Sequence, residues 1–193
     1  MRASTIIYCM RKSTSGFTIV ELLIVIVVIG VLAAITTVSY NGIQARAKNV
    51  SIQSAAKQSL NLISAYIASN SNYPYTGSSS CVSEGCVWGA VITTPSSPNA
   101  TLKTNLQTIG TLPGTVPETS SGIDGIAYAY SSSRTVNGVS APAILIYGLE
   151  GTAQNCGLAG LVNGSGDTLS TVSTPYSTSY PNNTSCIVSI SAV

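Results

Sequence analysis

Glu21 is the side chain with the most evident chemistry, because it is the one charged residue in the 22-residue run FTIVELLIVIVVIGVLAAITTV, residues 17–38. A carboxylate inside such a run is costly unless it is hydrated, neutralised or paired, so it reads as a working group before it reads as an accident. The other reactive side chains are five cysteines, Cys9, Cys81, Cys86, Cys156 and Cys186. Histidine is absent from all 193 residues. Its absence removes Ser-His-Asp and Cys-His nucleophile activation and the HExxH zinc site, each of which needs an imidazole. No paired carboxylates replace it. The expectation is a protein that is not an enzyme and that carries no cofactor and no metal.

A helix must carry Glu21. At about 1.5 Å per residue, 22 helical residues span roughly 33 Å, enough for a bilayer core. Arg11 and Lys12 precede the run with nothing acidic nearby. The positive-inside bias therefore places the N-terminus in the cytoplasm and the chain after Tyr40 outside. A cleaved secretory signal requires a charge-free core and a small-residue cleavage site; Val31-Leu32-Ala33 is a weak match to the second, and Glu21 violates the first. A plain anchor fits the length and leaves Glu21 without a role.

A third reading accounts for both. A short basic leader, Ser15-Gly16, then Phe17-Thr18-Ile19-Val20-Glu21 and an unbroken apolar run resemble the N-terminus of a type IV pilin or pseudopilin. The resemblance is dense over residues 14–35. It implies that a membrane prepilin peptidase cuts between Gly16 and Phe17, that Phe17 is N-methylated, and that Glu21 acts in filament assembly. It also implies a homo-oligomeric helical filament, an assembly platform and minor pilins as partners, and residence in the cytoplasmic membrane before the cell surface. It points to Met10 as the start of translation, which would leave Cys9 out of the protein. Where many members carry a helix-weakening proline this chain has Val38, which moves the weak point of the helix toward Gly30.

Beyond the membrane segment, Ile43, Ala47, Val50, Ile52, Ala55, Ala56, Leu60, Ile63, Tyr66 and Ile67 recur at steps of three and four, with Gln44, Arg46, Lys48, Asn49, Gln53, Lys57 and Asn61 between them. The spacing predicts an amphipathic helix with a single apolar stripe. No proline interrupts residues 17–69, so one helix of about 80 Å is expected, weakened at Gly30 and at Asn41-Gly42. The cluster Asn70-Ser71-Asn72-Tyr73-Pro74-Tyr75 ends it.

The remainder is rich in Ser, Thr, Gly and Pro. Residues 126–131, 143–149 and 186–192 read as strands, and a short helix is expected over 102–106. Val136-Asn137-Gly138-Val139 has the composition of a hairpin tip, so the first two strands should pair antiparallel. The domain reading is a leader over 1–16, a membrane or filament-core helix over 17–38, its amphipathic continuation over 39–69, and a β-rich head over 70–193. The fold class is α+β: a long helix packed on a small antiparallel sheet.

In an oxidising compartment Cys81, Cys86, Cys156 and Cys186 allow three disulfide connectivities. The pairing favoured here is Cys81–Cys86, closing a tight loop, with Cys156–Cys186, tying a long loop to the last strand. Loop-closure entropy gives them roughly 2 and 3–4 kcal/mol. A four-cysteine zinc site is the rival, without the usual CxxC spacing. Asn99-Ala100-Thr101, Asn163-Gly164-Ser165 and Asn183-Thr184-Ser185 match the glycosylation sequon, as chance permits in so Ser/Thr-rich a chain. Asp124 and Asp167 sit in Gly-rich turns for backbone reasons. The tyrosines, Tyr176 and Tyr180 among them, are read as core and turn packing.

Charged residues make up 7% of the chain, against about 25% in ordinary soluble domains. Three of the eight basic residues lie in the first twelve positions, leaving five against six acidic ones. That balance offers no cationic surface for nucleic acid. Glu21 and the large head favour a pilus subunit that packs along the shaft, serving motility, adhesion or DNA uptake. A pseudopilin of a secretion or competence system, or a single-pass anchored binding module, is the alternative.

Overall fold

The computed structural model describes residues 16–88, 92–119, 123–162 and 183–191. Arg11, Lys12, Cys9, Met10, Asn163, Asp167, Tyr176, Tyr180 and Ala192 lie outside them. The element order is α1 (Ile19–Asn70), β1 (Ser79–Cys81), β2 (Cys86–Trp88), β3 (Ile92–Ser96), α2 (Ala100–Gln107), β4 (Ile123–Asp124), β5 (Ile126–Tyr130), β6 (Thr135–Val136), β7 (Val139–Ser140), β8 (Ala143–Glu150) and β9 (Asn183–Ile190). The protein is thus α+β, a long N-terminal helix followed by a small antiparallel sheet. It divides into two compact units, Met1–Asn41 and Gly42–Val193.

In the second unit the main sheet has the order β1-β5-β8-β9, every pair antiparallel. Alternation along its strands builds two cores. Ile126, Tyr128, Leu145, Tyr147, Val188 and Ile190 face α1 and meet Ile52, Ala56, Ile63 and Ile67. Ala127, Ala129, Ile144 and Ile146 face the other way, onto Cys81, Cys86 and Ile123. A second sheet, ordered β3-β2-β4, supplies Cys86 and Ile123 to that layer. Pro95 lies in its edge strand β3, where a missing N–H disturbs no central ladder. Each fully buried Ile or Leu side chain contributes about 1.5–3 kcal/mol relative to exposure. Burial also raises the titration of Tyr128 and Tyr147 above the ordinary phenol range. Their hydroxyls donate to Tyr75 O at 2.9 Å and Cys156 O at 2.5 Å.

The Asn137-Gly138 tip forms as its composition requires. Asn137 and Gly138 have φ of 49° and 78°, and Val136 pairs with Val139. Positive φ at both central residues turns the chain with the twist that a two-residue hairpin needs. Helix α1 ends where Ser71, at φ 50°, turns its N–H to Ile67 O at 2.8 Å. The last strand lies earlier than its apolar residues suggested, at Asn183–Ile190, because Asn183, Thr184 and Ser185 complete the ladder opposite Glu150, Leu149 and Gly148. These three polar residues are buried, so this sequon lies in a strand and not in an exposed loop. Asn99 serves as the N-cap of α2, its Oδ1 accepting from Thr101 N at 2.9 Å.

The single apolar stripe expected on α1 is not what forms. Ile52, Ala56, Ile63 and Ile67 are buried, whereas Ile43 and Val50 are 65% and 64% exposed. At about 100° per residue the last two fall nearly opposite Ile52, so residues taken as one stripe belong to two faces. The covered face also includes a residue assigned to the polar side. Asn49 is 7% exposed, and its Nδ2 donates to Glu150 O at 2.9 Å while Glu150 N donates to its Oδ1 at 2.8 Å. The amide thus caps the end of β8 as a further strand would. Asn49→Ala should lower stability by about 1–3 kcal/mol, since it strips both bonds from that backbone unit at once. Denaturant melts of the full chain in detergent measure this as a lowered midpoint at unchanged slope. A midpoint equal to the parent's would show that water replaces the amide without cost.

Candidate functional site

The residues assigned to processing and assembly lie together at the start of α1. Gly16, Phe17 and Thr18 precede the helix in non-helical conformation, and Ile19 is its first helical residue. Thr18 O accepts the first helical bond, from Leu22 N at 3.3 Å. The carboxylate of Glu21 folds back over this end. Its Oε2 accepts from Thr18 N at 2.7 Å and from Thr18 Oγ1 at 2.8 Å, and Glu21 N donates to Thr18 Oγ1 at 3.3 Å. This is a reciprocal capping box, Thr-x-x-Glu, satisfying two of the amides that every helix start leaves without partners. Glu21 is therefore both the only charge in the apolar segment and the residue that fixes where the helix begins.

Thr18 was not singled out by reading the chain for reactive groups. The signal was present, since Thr or Ser followed three residues later by Glu ahead of an apolar run marks a helix start. It was obscured because Glu21 drew notice as a charge in a membrane segment and not as a cap.

The Gly16–Phe17 bond lies two residues outside the capped helix, where a peptidase can reach it without unwinding a turn. Phe17 is 84% exposed. A Cβ added to Gly16 would meet nothing within 4 Å. Among the described residues, therefore, packing does not require glycine at this position. Downstream, Ile19–Thr36 forms a helical segment long and apolar enough to cross a membrane, with none of its residues buried inside the protein.

Cys81, Cys86, Cys156 and Cys186 belong to the second unit. Cys81 and Cys86 form one disulfide, with Cα atoms 5.7 Å apart, joining the end of β1 in the main sheet to the start of β2 in the second. Cys156 and Cys186 form the other, also at 5.7 Å, fastening the segment after β8 to β9. All four are at most 1% exposed. Gly125 makes room for the first bridge: its φ is +76°, and a Cβ there would stand 2.6 Å from Cys86 Cβ. Among the described residues no three His, Cys, Asp or Glu side chains gather as metal ligands.

Residues 11–37 match the family model of the prokaryotic N-terminal methylation motif. No curated protein and no solved structure matches the chain. The matched stretch holds the Gly16–Phe17 junction, Thr18, Glu21 and the apolar first part of α1, and the motif is the prepilin signature of type IV pilins and pseudopilins. The motif supports a prepilin of the type IV pilin or pseudopilin kind, points to a structural protein and implies processing by a prepilin peptidase.

Proposed function

We propose that the chain is a shaft subunit of a type IV pilus. It waits in the cytoplasmic membrane as a single-pass prepilin, N-terminus inside. It is cut between Gly16 and Phe17, N-methylated on Phe17, and drawn by an assembly platform into a surface filament with its apolar helices at the centre. Minor pilins join the same filament. The observation that carries this reading is Glu21, an acidic side chain held at the first turn of a segment otherwise free of charge. In an anchor that never leaves lipid such a residue would serve the helix start alone, whereas in a helix that must find a fixed position among copies of itself it would also set that position. The head, tied by two disulfides, supports the reading, since small exported domains rely on covalent ties where the apolar core is limited.

Sheared surface fractions from the source cell should contain this chain beginning at N-methylated Phe17, with the 177 residues left when 16 are removed from 193. Intact-mass analysis of the purified fraction reads both features. Replacing Gly16 by a bulky residue should stop the cut, because the side chain would crowd the peptidase at the bond it attacks. A mature terminus at Ala34 or Ile35 would restore a secretory signal. A chain cut at Phe17 that never enters sheared filaments would belong to a secretion pseudopilus.

A further inference from the structure

Within Gly42–Val193, α1 has two apolar faces and the head covers one. Ile43, Ala47 and Val50 occupy the uncovered face, where Ile43 and Val50 are the exposed large apolar residues. Farther along, this face borders a shallow groove lined by Asn61, Leu62, Ala65 and Ile109. Arg46 and Lys57, both exposed, are eleven residues apart and so share one flank of the helix. No acidic residue follows Glu21 anywhere on α1. Two copies meeting face to face by this surface would bring cations together with no carboxylate on either helix to receive them, which disfavours a symmetric pair.

The acid must come from a different patch of the partner, and four acids beyond α1 lie among the described residues. Glu84 is engaged by Lys103 at 3.5 Å, and Asp124 Oδ1 accepts from Thr119 N at 2.7 Å and Thr119 Oγ1 at 3.2 Å. Glu150 is half-buried, with Oε2 sealed from solvent. Glu118 is exposed, lies on the segment leading to β4, and has no ion pair among the described residues. We propose that the Ile43–Ala47–Val50 face of α1, flanked by Arg46 and Lys57, is a docking surface for the Glu118 segment of a second copy of this chain. Two different patches make the contact heterologous, and a heterologous contact that does not close propagates as a helical polymer. This inference rests on the filament reading and specifies a contact within it.

The test uses the full chain in its source cell, with sheared-filament yield measured beside the membrane pool and leader cleavage. Filaments from the parent chain come first: if none form, the filament reading fails and the contact proposed within it falls too. Given parent filaments, Ile43→Glu with Val50→Glu should lower the yield by about tenfold or more with the membrane pool unchanged, since both positions are exposed in the subunit and carboxylates there would be desolvated only on docking. Lys57→Glu and Glu118→Lys should each reduce the yield by about three- to tenfold, and the two together should recover most of it. Parent-level filaments from the Ile43→Glu/Val50→Glu chain would overturn the docking face. A Lys57→Glu/Glu118→Lys chain no better than either single variant would overturn its pairing with Glu118.

Discussion

Glu21→Ala should leave membrane insertion and cleavage intact and abolish filaments. In the precursor the carboxylate is satisfied locally, by the N–H and hydroxyl of Thr18 at 2.7 and 2.8 Å. Near one face of a bilayer, water and headgroups reach it as well. At the bilayer centre an acidic side chain costs about 2.5–3.5 kcal/mol on insertion scales, so a position close to the edge costs less. A filament core closes that escape. Leaving one buried charge without its partner costs about 3–5 kcal/mol, so a cation must be brought to it. The cation that the proposed cleavage would create at this depth is the α-amino group of Phe17, on the same subunit or a neighbour. The back-folded carboxylate already points toward that end of the chain, being bonded to the amide of the adjacent residue. Supplied by a neighbour, the amine would set the axial register between subunits.

Glu21→Asp, one methylene shorter, should retain part of the assembly. Thr18→Val should lose less than Glu21→Ala, because it removes the hydroxyl and keeps the carboxylate. Electron microscopy of sheared fractions beside immunoblots of the membrane pool separates assembly from processing. Normal filaments containing the Glu21→Ala chain would make the charge incidental to assembly.

Much of this architecture was legible because several signals are local. The Asn137-Gly138 turn needs two positive φ values, which these residues supply cheaply, so the pairing of β5 with β8 followed. The N-terminal motif depends on residues adjacent in sequence, so it too could be read directly. What failed to show depends on tertiary partners. Ile43 and Val50 satisfy the three- and four-residue spacing as well as Ile52 and Ile63 do, and only the position of the sheet decides which are covered. Asn49 scores as polar until Glu150 is brought to it across 101 positions. The second sheet is built from strands of two to five residues, too short for any periodicity to mark, and β4 joins β2 from a distant segment. Thr18 differs from these: its signal is local and complete, a Thr three residues before Glu21 at the start of an apolar run.

Removing the Cys156–Cys186 bridge should cost about 3–4 kcal/mol and removing Cys81–Cys86 about 2, because loop-closure entropy grows with the separation joined. Those separations are 30 and 5 residues. The order does not follow from burial, since all four cysteines are at most 1% exposed and any cavity left behind would be similar. Alanine is the substitution to use, because a serine hydroxyl at these sites would add the cost of an unpaired buried polar group. The longer bridge also holds more of the head in place. Cys186 stands opposite Tyr147 in the β8–β9 register, and the Tyr147 hydroxyl donates to Cys156 O, so the bridge, the ring and the last strand form one closed unit. Without it β9 keeps its ladder to β8 but loses the tether that limits its freedom once that ladder opens. Denaturant melts of the full chain in detergent, with each cysteine pair replaced by alanine, compare the two directly. Because stabilities of this size are a large part of a small domain's total, the Cys156→Ala/Cys186→Ala chain should also be depleted from the membrane pool by proteolysis. Equal losses from the two pairs, or a larger loss from Cys81→Ala/Cys86→Ala, would show that the short bridge acts through the native contact it makes between the two sheets and not through the unfolded chain.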